Sequence, residues 1–246
     1  MTQPAYLARA DGQRIAYRRT TGRGPTIVFL PGYASDMQGS KALAIEEWAK
    51  ANGRAMLRLD YVGCGESDGA FEEQTLASWR DDVLLAIDSL TEGPLLLVGS
   101  SMGGWLMLLA ARQRAHRIAG LVGIAAAPDF TDWGYTQDEK LKLMSAGRLE
   151  KPSAYSDSPE VTTRAFWTSG EANRVLARLG DVTAPARLFH GMADSDVPWK
   201  YAPHIAAQLG STNVQVTLIK DGEHRLSREG DLALILAGIA ELAERA

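Results

Sequence analysis

The residues best placed to do chemistry are Gly99-Ser100-Ser101-Met102-Gly103, a G-x-S-x-G string between the apolar run Leu95-Leu96-Leu97-Val98 and a helical pattern. A strand that turns sharply into a helix lifts a serine hydroxyl above the sheet edge, and the flanking glycines admit the tight turn. Ser101 is therefore the candidate nucleophile, and Ser100 serves the chain reversal. A serine hydroxyl is barely nucleophilic near neutral pH and needs a base beside it. The chain offers four histidines. His116 follows a helix in the basic stretch Arg112–Arg117 and reads as a helix-end residue. His190 closes the strand Arg187–Phe189 as a structural turn residue, and His204 lies on a helix after Trp199. His224 differs, because Lys220-Asp221-Gly222-Glu223-His224 is a loop after the last strand and before the last helix. It is the candidate base.

A G-x-S-x-G string between a buried strand and a helix resembles the nucleophile elbow of the α/β-hydrolase fold, and the resemblance implies the chain order serine, acid, histidine. The acid is then expected after the strand preceding the His224 loop, where His190-Gly191-Met192-Ala193-Asp194-Ser195-Asp196-Val197-Pro198 holds two carboxylates. From Asp194 the loop can still reach back over the sheet, so that the carboxylate fixes the histidine tautomer. Asp196 stands nearer Val197-Pro198 and the next helix, where a capping role suits it, so Asp194 is preferred. Negative charge develops on the substrate oxygen during acyl transfer and needs hydrogen-bond donors aimed at it. One expected donor is the backbone N–H of Met102, directly after the nucleophile. The other is the N–H of Tyr33, in Leu30-Pro31-Gly32-Tyr33, where many relatives carry His-Gly in place of Pro-Gly.

The elements that must position these residues alternate along the chain. Asp11-Gly12 marks a hairpin between Tyr6–Ala10 and Arg14–Arg18. Short apolar runs then read as strands buried on both faces, at Thr26–Leu30, Arg54–Asp60, Pro94–Gly99, Ile118–Ile124 and Ala186–His190. Helical patterns lie between them at Ser40–Asn52, Thr75–Leu90 and Met102–Arg114. A last strand, Asn213–Lys220, precedes a helix carrying Leu232, Ile235, Ile239 and Leu242. The expected fold is α/β, a mostly parallel twisted sheet with helices on both faces, in a single domain over residues 1–246. Between Ala125 and Pro185, roughly sixty residues separate two strands where a crossover needs about a dozen. A structureless loop of that length is not expected in a compact domain, so residues 126–185 are read as a small helical cap. It holds Trp133, Tyr135, Tyr155, Phe166 and Trp167, with helical patches at Asp138–Ala146 and Pro159–Leu179.

Composition narrows the partners. The 26 basic residues are scattered against 30 acidic ones, for a net charge of −4, so neither nucleic acid nor a membrane surface is expected as a partner. No apolar run is long enough to span a bilayer; the longest, Trp105–Ala111, is far too short. Cys64 is the single cysteine, which rules out an intrachain disulfide and suits a reducing compartment. The opening Met1–Ala10 has no signal-peptide pattern, and a cytoplasmic protein is expected. No cofactor and no metal are expected, and oligomeric state is left open.

Several strings carry a closer resemblance. They are Pro31-Gly32-Tyr33 with Gly39-Ser40-Lys41-Ala42-Leu43; Asp60-Tyr61 with Gly63-Cys64-Gly65-Glu66-Ser67-Asp68-Gly69; Gly99 through Met107; and His190-Gly191-Met192 with Val197-Pro198-Trp199. Together they resemble the mitochondrial α/β-hydrolase-domain thioesterases of mammals, which act on palmitoyl-proteins and on an acyl glucuronide. The resemblance spans nearly the whole chain and is weakest in the cap. It implies Ser101, Asp194 and His224 as a triad, cleavage of esters or thioesters, and a small-molecule or acylated-protein substrate. The mitochondrial location is not carried over, since no presequence is read in the opening residues. The same triad also serves carbon–carbon bond hydrolysis and perhydrolysis, and the fold also serves as a ligand receptor.

Overall fold

A computed structural model describes residues 3–152 and 159–245. The chain opens with an antiparallel pair, β1 (Ala5–Ala8) and β2 (Arg14–Thr20), joined across the Asp11-Gly12 turn. Then follow β3 (Arg23–Leu30), α1 (Ser40–Ala51), β4 (Arg54–Leu59), α2 (Leu76–Leu90), β5 (Leu95–Ser100), α3 (Met102–Gln113) and β6 (Ile118–Ile124). The long insert contributes α4 (Phe130–Trp133), α5 (Gln137–Ala146), β7 (Arg148–Lys151), β8 (Glu160–Thr163) and α6 (Arg164–Ala172). The chain closes with β9 (Ala186–Gly191), α7 (Tyr201–Gln208), β10 (Val214–Ile219) and α8 (Glu229–Arg245). Eight strands form one sheet in the order β1-β2-β4-β3-β5-β6-β9-β10. Pairing is antiparallel from β1 to β4 and parallel from β4 to β10.

The apolar runs are continuous because each central strand is covered twice. In β3, Ile27 and Phe29 join the core beneath α1 and α8, while Val28 and Leu30 join the core beneath α2, α3 and α7. In β5, Leu96 and Val98 go to the first face and Leu95 and Leu97 to the second. Side chains alternate at period two, so only a run apolar at every position fills both layers. Each such Leu, Ile or Val, fully buried, contributes about 1.5–3 kcal/mol relative to exposure. α2 starts sharply because the Thr75 hydroxyl accepts the Ser78 N–H at 3.0 Å and the Ser78 hydroxyl accepts the Thr75 N–H at 2.9 Å.

The insert differs from expectation in its second half. Helix α5 stands where Asp138–Ala146 was expected, but Pro159–Leu179 is not one helical patch. β8 occupies 160–163 and pairs antiparallel with β7, α6 follows, and a 3₁₀ helix spans Leu176–Asp181. Val161, Thr162 and Thr163 are β-branched and favour extended backbone, and the Thr163 hydroxyl accepts the Phe166 N–H to start α6. Tyr135, Leu143 and Leu149 make a small core with Phe130 and Trp167 against it. Tyr155 lies outside the described residues.

Candidate active site

The proposed nucleophile sits at the C-terminal end of β5. Ser101 has φ 53° and ψ −120°, a conformation that costs an ordinary residue on the order of 1–3 kcal/mol and persists where its surroundings enforce it. The enforcement is visible. Ser101 N–H donates to the Ile124 carbonyl at 2.9 Å, and its carbonyl accepts from Gly104 at 2.9 Å and Ala127 at 3.0 Å. Gly103 allows α3 to start hard against the loop after β3, since a Cβ there would stand 2.0 Å from the Leu30 carbonyl oxygen.

Ser101, His224 and Asp194 are brought into one hydrogen-bonded series. His224 Nε2 lies 3.1 Å from Ser101 Oγ, and its Nδ1 lies 2.8 Å from Asp194 Oδ2. The imidazole is partly exposed, at 16 %, while the Asp194 side chain is fully buried. Burial alone would push the Asp194 carboxyl up. Hydrogen bonds from His190 and His224, the charge of His224 and the Val197 N–H outweigh it and hold the group well below the usual carboxylate range. Asp196 takes a different part from the helix cap expected of it. Its N–H donates to Asp194 Oδ1 at 2.9 Å, and α7 begins later, with Lys200 as its N-cap.

Each loop is held by its own anchor. Asp60, fully buried, accepts the Met37 N–H at 2.6 Å and the Glu66 N–H at 2.9 Å, tying the loop after β3 to the loop after β4. The buried Tyr61 hydroxyl donates to the Pro31 carbonyl at 3.0 Å. The loop so fixed passes directly over the nucleophile, because a Cβ on Gly32 would stand 3.3 Å from Ser101 Cβ. Tyr33 follows, and its hydroxyl donates to the Val161 carbonyl of β8 at 2.7 Å while its ring packs against Phe71, Trp79, Phe130 and Phe166. Met102 occupies the first position of α3, where backbone N–H groups have no intrahelical partner. Lys41 holds the histidine loop: its Nζ donates to the Arg225 carbonyl at 2.5 Å, and burial pushes its pKa down to about 8.

Other chemistry-bearing groups fit less well. The buried Cys64 thiol is pushed up to about 12, first by burial, which keeps it protonated and unreactive. Asp194, Asp196 and His224 bring ligand atoms within 4.8 Å of one another. With Nδ1 bonded to a carboxylate and Nε2 turned to a serine hydroxyl, the imidazole is oriented for proton transfer. His116 is exposed in a 3₁₀ turn, and His204 is exposed on α7. His190 is the group that sequence reasoning undervalued: it is fully buried and its Nε2 lies 3.2 Å from Asp194 Oδ2. Its place at the end of β9, four residues before the acid, was the available signal.

This fold and this elbow define a class. The chain belongs to the alpha/beta hydrolase family, whose model matches residues 27–238, and it is an enzyme of the hydrolase kind. Among curated proteins it is 41% identical to human palmitoyl-protein thioesterase ABHD10, mitochondrial, over 99% of this chain and 81% of that protein. The same figures hold for the Bos taurus protein of that name. The solved structure of alpha/beta hydrolase domain-containing protein 10 from mouse superposes with a TM-score of 0.92 at 38% identity, covering 99% of each chain. The expected cytoplasmic placement is corrected by these relatives, which are named as mitochondrial. Charge balance and a single cysteine suit any reducing compartment, so neither distinguished the cytoplasm from others. Among the described residues no helix is long and apolar enough to cross a membrane.

Proposed function

We propose that the chain hydrolyses carboxylic esters or thioesters through an acyl-serine intermediate, with Ser101 as nucleophile, His224 as base and Asp194 as the acid that orients it. The observation that carries this is the continuous series from Asp194 Oδ2 through His224 to Ser101 Oγ, at 2.8 and 3.1 Å. His224 Nε2 takes the Ser101 proton as Oγ attacks the carbonyl carbon. The N–H groups of Tyr33 and Met102 receive the oxyanion. The imidazolium returns its proton to the departing thiol or alcohol, and His224 then activates water to release the acid. The relatives named palmitoyl-protein thioesterase support a thioester as substrate, on a small molecule or an acylated protein. The expected outcome is turnover of p-nitrophenyl esters and acyl thioesters, with a burst of p-nitrophenolate where deacylation limits. Turnover of neither, by a protein whose Ser101 also resists a fluorophosphonate, would leave a ligand-binding scaffold and end this reading.

Residues 126–185 act as a cap over the strand ends in this reading, where ligands bind in open α/β sheets. Its two half-buried tryptophans separate by what they touch. Trp133 stacks on Tyr201 at 4.3 Å and donates to the Pro128 carbonyl, one residue beyond the Ala127 N–H that bonds Ser101. Trp167 donates to the Thr131 carbonyl and packs on the insert's own core. Trp133→Ser is therefore expected to raise KM for long acyl esters about tenfold more than for acetyl esters, the loss of contact with about two methylenes. Trp167→Ser is expected to lower thermal stability and affect both substrates alike. Equal KM changes on both substrates in Trp133→Ser would remove that residue from the acyl path.

A further inference from the structure

Asp194 carries a donor at every acceptor position of its carboxylate. Oδ1 accepts the Asp196 N–H at 2.9 Å and the Val197 N–H at 2.8 Å. Oδ2 meets His224 Nδ1 at 2.8 Å and, from beneath, His190 Nε2 at 3.2 Å. His190 Nε2 also lies 3.0 Å from the Val197 carbonyl oxygen. Both neighbours of Nε2 are acceptors without a proton, so the ring proton must sit on Nε2, bonded to the Val197 carbonyl with Asp194 Oδ2 beside it at 3.2 Å. Nδ1 is buried with no hydrogen-bond partner among the described residues, a place that tolerates a lone pair better than an orphaned N–H.

We propose, resting on the triad reading above, that His190 is a positioning residue for the reaction: its Nε2–H holds the Asp194 carboxylate from the sheet side and divides Oδ2 between two histidines. The donor comes from β9, which is paired on both edges, by β6 and β10, so the sheet sets its position. The loop that carries the acid is thereby registered against the rigid part of the fold. With the donor gone, Oδ2 turns its full charge on His224 and favours the imidazolium. The base then loses its proton at higher pH, and the carboxylate is freer to rotate. Among the described residues, the other charged groups facing His224 are Asp196 on the loop of the acid and Glu160 on β8, whose carboxyl feels both His224 and Asp196. Lys41 reaches the Arg225 carbonyl behind it. None of these is altered by changes at His190.

The test compares His190→Leu, which removes the donor, with His190→Gln, whose amide restores an N–H near the same place. Rates are taken per active site titrated by a p-nitrophenyl ester burst. His190→Leu is expected to lose about tenfold in kcat with little change in KM, and to move the acidic limb of kcat/KM up by about half a pH unit. His190→Gln is expected to recover most of both. A leucine variant whose limb coincides with that of the unaltered enzyme, or a glutamine variant as impaired as the leucine one, would show that His190 only fills space. Nitrogen NMR of the unaltered protein tests the proposal even where the leucine variant does not fold. The ring proton is expected on Nε2, with a resonance that shifts when a fluorophosphonate caps Ser101; a proton on Nδ1, or no shift, overturns it. Asp194→Asn run alongside separates the two levels. Unchanged rates there would end the triad reading, whereas an inactive Asp194→Asn beside a fully active His190→Leu would end the role of His190 alone.

Discussion

Ser101→Ala is expected to lose all labelling by a fluorophosphonate and at least about a thousandfold in kcat/KM. The substitution removes one oxygen and little else. The backbone of the elbow is held by the Ile124 carbonyl and by the Gly104 and Ala127 N–H groups, none of which needs the hydroxyl, so the fold should stand. What disappears is the atom 3.1 Å from His224 Nε2. Binding and the proposed oxyanion donors would survive, so a residual rate above that of water is expected. Ser100→Ala should be mild, because Ser100 is buried as the last residue of β5. Peptide mapping of the labelled enzyme decides between the serines, and a label on Ser100 would move the elbow.

The acid offers a sharper experiment. Asp194→Asn is expected to cost about 10⁴ in kcat in a protein that still folds, whereas Asp196→Asn should cost only a few-fold. The reason is the arrangement of donors. Two backbone N–H groups converge on Oδ1, so an asparagine must present its single oxygen to them and turn its NH₂ toward His224. Nδ1 then has to accept, the ring proton moves to Nε2, and the imidazole faces Ser101 with a proton where a lone pair is required. Asp196 contributes its backbone N–H to this turn, which the substitution retains. Steady-state rates for both variants settle the ranking, and a larger loss at Asp196 would transfer the role there.

Much of the framework was legible because the relevant signals are local. Runs such as Leu95–Val98 are apolar at every position, which separates strands covered on both faces from strands covered on one, and the structure shows that double cover. Ser101 stood out through glycines at 99 and 103, and His224 through its loop between the last strand and the last helix. The strand order was not legible, since it is set by which faces and edges fit across the fold and leaves no mark at fixed spacing. The β7–β8 pair escaped notice because Arg-Leu-Glu-Lys and Glu-Val-Thr-Thr are short and mostly polar. His190 was read as a turn residue because its strand-end position predicts no burial. Only the loop folding back through Val197 places it beneath the acid.

The proposed triad draws its serine and its histidine from positions 123 apart, and its acid from 30 positions before the histidine. β10, whose end releases the His224 loop, lies at the margin of the sheet and, among the described residues, is paired by β9 alone. Parallel pairing between distant segments is slow to form, because loop-closure entropy is spent before any contact repays it. In the proposed mechanism the nucleophile is therefore made early in synthesis and meets its base late. A chain that ends before residue 214 carries Ser101 without His224, the base proposed for it. Hydrolytic activity through the proposed triad would consequently report completed folding of this molecule.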